Sequence, residues 1–550
     1  MSADNSATQP ADRPTLPQDP DLELLRKQAK RLLRAARDGD PDALARVRRA
    51  LDRFAALGDS ALGVTLRLAD VQQAVARELG FPSWPKLVRH VEERQPLALQ
   101  VERFLRALNE HRAVTAARIL RRRPEIGRAG IFAACAAGEP EVVAVAIAAD
   151  PGVIDATHQP DGGTPLIYAC ASPLHTSSPE RARGIRRCAE LLLDAGADPN
   201  QHTLFEEPSG NTAPIAALYY ACVTDHRELV ATLLARGANP NDGESIYHAA
   251  ELDHEACLEL LLAHGADVSG RHPQYGNTPL FFLAGYKDFH ESTAAATRGM
   301  AWLLAHGADP NVTSYKVEET PLHRIAANGR GPAVAEMLLA HGAAVDQPRA
   351  DGKTAYAMAV RAGNVATAET LRAHGADPAR LTPADRLLGA CMVADEAAAR
   401  AVLAEHPDLV AQLSDEDRQA FALAAEEGHE ASVRLMHALG FDFRWEGEWG
   451  GTPLHHAAWH GNVAMTRLLI GLGTPLNVRD RVYGSSALGW AGHGSVHCRK
   501  DADDDYVAVV TALLDAGADR ETSINRWGEP PENMSSRRVA RLLKERSIAS

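Results

Sequence analysis

A seven-residue phrase returns six times along this chain, and its return rules out most ways of folding 550 residues. Leu-Leu-x-x-Gly-Ala-Asp, or a close variant, occupies 192–198, 233–239, 261–267, 303–309, 338–344 and 513–519. Gly342 and Gly375 stand 33 residues apart, as do Gly440 and Gly473, and the 65 residues from Gly375 to Gly440 make two such steps. A unit this short cannot bury its own apolar face, so neighbours must stack, and the energy must come from contact between adjacent layers. An array of that kind grows without one deep core, which frees a chain of this length from the size limit of a single compact domain.

The spelling of each unit predicts two short helices and a turn. Thr-Pro-Leu opens units at 164, 278, 320 and 452. Threonine caps a helix through its hydroxyl, and proline fits the first helical position, where a missing N–H costs nothing. The glycine after Leu-Leu-x-x falls where the second helix stops and the backbone takes a positive φ. Paired alanines such as Ala249-Ala250 and Ala457-Ala458 allow close helix approach, and Asp-Pro-Asn at 198–200 and 309–311 begins the turn to the next unit.

Thr320-Pro321-Leu322-His323 and Thr452-Pro453-Leu454-His455, repeated at this period, resemble the ankyrin repeat. The resemblance implies an all-α ankyrin-repeat solenoid of helix-turn-helix units with short hairpin fingers. Roughly twelve units fit between about residue 100 and the C-terminus, at about 33 residues each. Those near 100–160 and 383–443 are degenerate in spelling. The organisation reads as a disordered leader over 1–20, a small helical domain over 21–96, a first array over 97–381, and a second array over 382–550 closed by a capping unit. Phrases at 25–30 and 69–87, Phe81-Pro82-Ser83-Trp84 among them, resemble the leader of bacterial ankyrin-repeat proteins, which implies a bacterial source.

Composition agrees. Hydrophobic residues make up 45% of the chain and aromatic ones 5%, as small-residue helix packing requires. A net charge of −14 argues against general nucleic-acid affinity. No apolar run is long enough to span a membrane or serve as a signal peptide, so a cytoplasmic location is expected. The seven cysteines have no paired spacing, and Cys135, Cys170 and Cys222 take a small-residue core slot.

Within 21–96, helices are expected from Leu22 to near Asp38, over about 42–56, over about 68–79 ending at Gly80, and after Ser83 as a cap. The bland reading is a helical cap on the array. The stretch Val75 to Gly80, followed by Lys86, Arg89 and His90, has the glycine-centred form of a helix-turn-helix. It supports the alternative of a DNA-binding regulator with the array as regulatory module. Pro82, Pro85 and the acidic Glu78, Glu92 and Glu93 weigh against it.

Catalysis finds no foothold: phosphate-cradling loop, nucleophile elbow and His-Glu-x-x-His helix are all missing, so no enzyme, catalytic residue or cofactor is expected. His264, His306, His341 and His374 precede the glycine that ends a helix, where they can meet its last carbonyls. His493, His497 and Cys498, with Asp501 and Asp503 to Asp505 following, could attract a divalent metal. They are read instead as part of an inserted loop, and no metal site is assigned. Three insertions, at 171–187, 288–298 and 496–506, fall between first and second helices.

The expected function is therefore a non-catalytic scaffold that binds another protein on its concave face. No membrane, nucleic-acid or small-molecule partner is implied. Five of the seven tryptophans lie beyond residue 444, and aromatics with arginine dominate binding hot spots. Trp445, Glu446, Glu448 and Trp449 fall on one finger, and Trp459 with His460 follows the Ala457-Ala458 pair. Arg479, Arg481 and Tyr483 fall on the next finger, with Trp490 and His493 on the helix after it. These are the candidate contact residues, some of whose rings could equally fill gaps between units.

Overall fold

The computed structural model describes residues 22–548 except 111, 207–211, 286–292, 316 and 500–501; the leader over 1–20 lies outside them. Helices of 4 to 16 residues fill the described chain, with one two-stranded hairpin. The chain divides into two compact units, Met1–Asn239 and Pro240–Ser550.

The first unit begins with helices Leu22–Arg37, Pro41–Ala50, Asp59–Thr65, Leu68–Glu78 and Trp84–Arg94. The single helix expected over 42–56 is two shorter pieces, because the chain turns at Leu51 and a short 3₁₀ turn follows over Asp52–Phe54. The helix Asp59–Thr65 was not expected. Ser83 holds the capping position, but its hydroxyl makes no cap bond. Apolar residues here close on one another: Leu32, Leu44, Leu62 and Val71 in one cluster, Leu22, Leu25, Leu87 and Val91 in a second. This gives the segment apolar clusters of its own. Lys86 and Arg89 are exposed, while Glu92 on the same helix holds Arg103 and Arg122.

The array follows from Leu97–Asn109 onward. At 202–206 and 212–216 one finger lengthens into antiparallel strands, with His202 opposite Ala216 and Glu206 opposite Thr212. That is the departure from an all-helical chain.

The second unit shows how the repeat spelling works. Thr278 and Thr320 cap their helices through their hydroxyls, each with proline at the first turn. Where Leu303-Leu304 ends its helix, Ala308 N–H donates to Leu303 O and Gly307 N–H to Leu304 O, with Gly307 at φ 89°. That pair of hydrogen bonds satisfies carbonyls the helix would otherwise leave open. Asn311 then reaches the next layer: its Nδ2 donates to Gly342 O at 3.0 Å and its Oδ1 accepts from Ala344 N–H at 2.7 Å. The turn asparagine is thus an inter-repeat clasp, and Asn241 repeats it against Gly265 and Asp267.

The degenerate stretch near 383–443 has a physical explanation. Asp385 and Asp417 stand where other units carry the signature histidine, and they cap the helices Pro383–Met392 and Asp415–Glu426. Both are buried, and both are met by Arg361 from the helix Ala355–Arg361, at 2.9 and 2.5 Å. A charged triad has replaced the neutral Thr–His cap.

Helices take up much of the described part of the insertions. The first carries a 3₁₀ turn at Pro173–Ser177 and then the long helix Pro179–Asp194. The second falls partly outside the described residues, and its described end is the helix Thr293–Ala305. In the third, the helix Ala487–His497 runs on through His493 and His497, so these two histidines stand on a helix and not on the expected loop, while Cys498 follows its end. Extending an amphipathic helix buries more apolar surface than a loop of the same length. Among the described residues, no helix is long and apolar enough to cross a membrane.

Candidate functional site

Three successive fingers in the second unit, around 447–451, 480–486 and 523–529, are tied together by buried hydrogen bonds. His455 Nδ1 accepts from the Thr452 N–H at 3.1 Å and faces its hydroxyl at 2.8 Å, while His455 Nε2 donates to Ser485 O at 3.1 Å. Ser485 Oγ donates onward to Ser523 O at 2.8 Å. The signature histidine therefore works only when neutral, with its proton on Nε2. Burial, chiefly, depresses it to about 4.

This sets a pH dependence. An unfolded histidine titrates near 6.5, so the fold disfavours the protonated form. Stability is intact above about pH 6.5 and lost as pH falls toward 4, by up to about 3 kcal/mol. Urea unfolding followed by the fluorescence of the neighbouring tryptophans should show that loss, and His455→Gln should flatten it.

Beneath the fingers, the helices Pro453–Trp459 and Ala487–His497 approach closely. Gly494 permits it: a Cβ there would stand 2.3 Å from Trp459 O. Gly451 likewise lies against Trp490, where a Cβ would come within 2.7 Å of the indole. Trp490 is buried, and its Nε1–H donates to Asp480 Oδ2 at 3.0 Å. Asp480, itself buried, also accepts from the Tyr483 and Ser485 N–H groups.

Over this floor opens a cavity of about 550 Å³. Trp449, Trp459, His460, Tyr483, Trp490 and His493 line it, six of the eleven candidate contact residues. The rings of Trp459 and Trp490 meet edge-on at 6.1 Å, as do Tyr483 and Trp490 at 6.0 Å. Trp449 is 59% exposed and sits at φ 61°, a left-handed conformation that bulky residues rarely adopt.

The other five lie elsewhere. Trp445 is half-buried against the core and under the Arg418 guanidinium, the gap-filling role. Arg479 is structural too, donating to Gly484 O and Ile524 O and so joining two fingers. Arg481 and Glu446 pair with each other at 3.5 Å near the surface. The side chain of Glu448 lies outside the described residues.

Sequence reasoning did not select Glu426, His456, Trp527, Asn525, Glu529 and Met534, which complete the wall. Trp527, 61% exposed, was visible as part of the C-terminal tryptophan enrichment. Nothing in the local spelling marked Glu426, which ends the helix Asp415–Glu426 of the preceding unit. Its carboxylate holds His456 Nδ1 at 3.1 Å and stands 3.7 Å from His460 Nε2. Burial opposes protonation of His460, but the Cys498 sulfur, 3.5 Å from its Nδ1, and Glu426 outweigh it and raise the imidazole to about 9.

His493, His497 and Cys498 do not converge. The two imidazoles stack at 4.3 Å, and Cys498 faces His460 instead. Among the described residues, no group of three or more His, Cys, Asp or Glu side chains is placed to hold a metal ion.

Models of ankyrin repeats match residues 107–244, 182–272 and 292–381, and a further ankyrin-repeat model matches 421–470. Among solved structures, the ankyrin repeat domain of human ASB11 aligns at 24% identity over 46% of this chain and 99% of that one, with a TM-score of 0.35. None of the curated proteins compared matches the chain. The cavity residues from Tyr483 onward lie beyond the matched segments.

Proposed function

Since the chain belongs to the ankyrin-repeat proteins, whose repeats are generally protein-interaction modules, we propose that it is a non-catalytic scaffold. Its principal contact with a partner protein is the aromatic cavity between Trp449 and Trp527. The observation that carries this reading is the convergence of four tryptophans and a tyrosine on one opening. A soluble protein gains nothing in stability by leaving Trp449 and Trp527 more than half exposed. Partially exposed indoles around a preformed hollow are what a binding hot spot needs, and a preformed wall limits the ordering cost of association. The proposed location is the cytoplasm.

The test uses two tryptophans of the wall. Trp449→Ala with Trp459→Ala should weaken a partner captured from the native host, then purified, by about thirtyfold or more, since hot-spot truncations cost roughly 2 kcal/mol or more. Far-ultraviolet circular dichroism should stay unchanged. Undiminished affinity in the double variant would place the contact on another surface.

A further inference from the structure

We propose that the aromatic cavity is a receptor for a quaternary ammonium group. The inference rests on reading this cavity as the contact site and adds the chemistry of what enters it.

Eight of the fourteen residues that line it carry aromatic or imidazole rings, and Trp459 and Tyr483 stand nearly perpendicular to Trp490, at 76° and 72°. Rings set at right angles present faces and edges to one volume, and a cation is drawn to the electron-rich faces. The Arg526 guanidinium already lies 4.6 Å from the Trp527 ring centre, so one of these indoles does hold a cation.

Charge points the same way. No lysine or arginine lines the cavity, in a chain that carries 58 of them. The carboxylates of Glu426 and Glu529 do line it. Asp480 lies directly behind Trp490, buried and met by three neutral N–H donors, and among the described residues it forms no salt bridge. The wall residue His460 is held positive, and Glu426 answers its charge. An unbalanced carboxylate beneath an apolar hollow favours a positive guest.

Hydrogen-bond capacity selects among cations. An ammonium brings three N–H donors and a guanidinium five, all of which need acceptors once desolvated. Here the carboxylates already serve partners of the chain: Glu426 meets His456 and His460, Asp480 its three donors, and Glu529 Oε2 accepts from Asn525 Nδ2 at 3.2 Å. His456 Nε2 is buried without a partner and lies against Gly447, where a Cβ would come within 2.9 Å of it. A quaternary nitrogen asks for no acceptor. A volume of about 550 Å³ holds such a head group with several attached atoms.

The experiment is calorimetric titration of the full chain with choline and with its carbon isostere 3,3-dimethylbutan-1-ol, which differ only in the charge-bearing atom. Choline should bind about tenfold tighter or more, as a desolvated cation–aromatic contact predicts. Trp449→Ala with Trp527→Ala, both rim positions, should abolish that preference while the melting temperature holds. Equal affinity for the isostere, or no saturable binding of any ammonium at millimolar concentration, would overturn the proposal. Two further arms identify the source: a peptide bearing trimethyllysine against its unmodified form, and free choline. Preference for the modified peptide supports a partner's side chain, and preference for choline supports a free small molecule. If ammonium binding fails while partner capture still depends on Trp449 and Trp459, the docking reading survives without this chemistry. If choline binds and capture is indifferent to those residues, the docking reading fails alone.

Discussion

Trp490→Ala should destabilise the repeats around it by about 3–5 kcal/mol, the range for emptying a large aromatic from a packed site. Trp490 is 7% exposed and sits among the rings of His455, His456, Trp459 and Tyr483 at 5.2 to 6.1 Å. Its removal also takes from Asp480 one of three donors. Trp490→Phe separates the two effects: it keeps much of the volume, loses the N–H, and should cost about 1–3 kcal/mol for the carboxylate left short of a partner. Because each layer of an array is held by its neighbours, the damage should be local. Hydrogen exchange read by mass spectrometry should show protection lost in Pro453–Trp459 and Ala487–His497 and kept in Ser245–Glu251. Unchanged protection in the first two helices would mean that Trp490 is not their packing centre. The same variant should lose the cavity floor and with it any ligand preference.

Arg361→Ala should have a comparable effect for a different reason. The guanidinium bridges two buried capping carboxylates, Asp385 and Asp417, from consecutive repeats. Burial alone would push Asp417 up, and Arg361 with the Ser414 contacts holds it down. Deleting the cation leaves two buried charges unanswered, a loss of about 3–5 kcal/mol. The sign with pH is distinctive. Without Arg361 the burial of Asp417 is no longer offset, so its carboxylate should take up a proton at higher pH than in the unfolded chain, and the variant's deficit should shrink as pH falls from 7 toward 4. A deficit that stays constant from pH 7 to 4 would contradict the assignment. Asp385→Asn with Asp417→Asn in the Arg361→Ala background should recover part of the loss at neutral pH, since neutral amides need no counter-charge.

Much of the architecture was legible in the spelling. The glycine that ends each second helix, the Thr-Pro start and the alanine pairs are local necessities. Each answers a question about one or two turns of backbone, and the neighbours in sequence suffice to answer it. The histidine of Thr-Pro-Leu-His was legible as structural, though its reach to Ser485 of the next finger was not. Where the spelling decays, at 383–443, the repeat persists because Arg361 supplies from 24 residues away what the missing histidine no longer does. No periodicity count finds that substitution, because it concerns charge and burial and leaves the apolar pattern unchanged.

The candidate site divides along the same line. That aromatics gather near the C-terminus can be counted from the chain, and Trp449, Trp459, Tyr483 and Trp490 do meet around one opening. Trp445 and Arg479 carry the same residue types at neighbouring positions, yet one fills the core and the other joins two fingers. Glu426 enters from an earlier helix, and Trp527 with Glu529 from a later finger. The repeat period by itself determined that short helices stack in layers and where each layer begins and ends, because those are properties of local backbone and of apolar faces that must be covered. Which side chains share a wall was decided only by the tertiary structure. Side-chain direction depends on how adjacent layers seat against each other, and that seating is set by close approaches such as Gly494 on Trp459, between residues far apart in the chain.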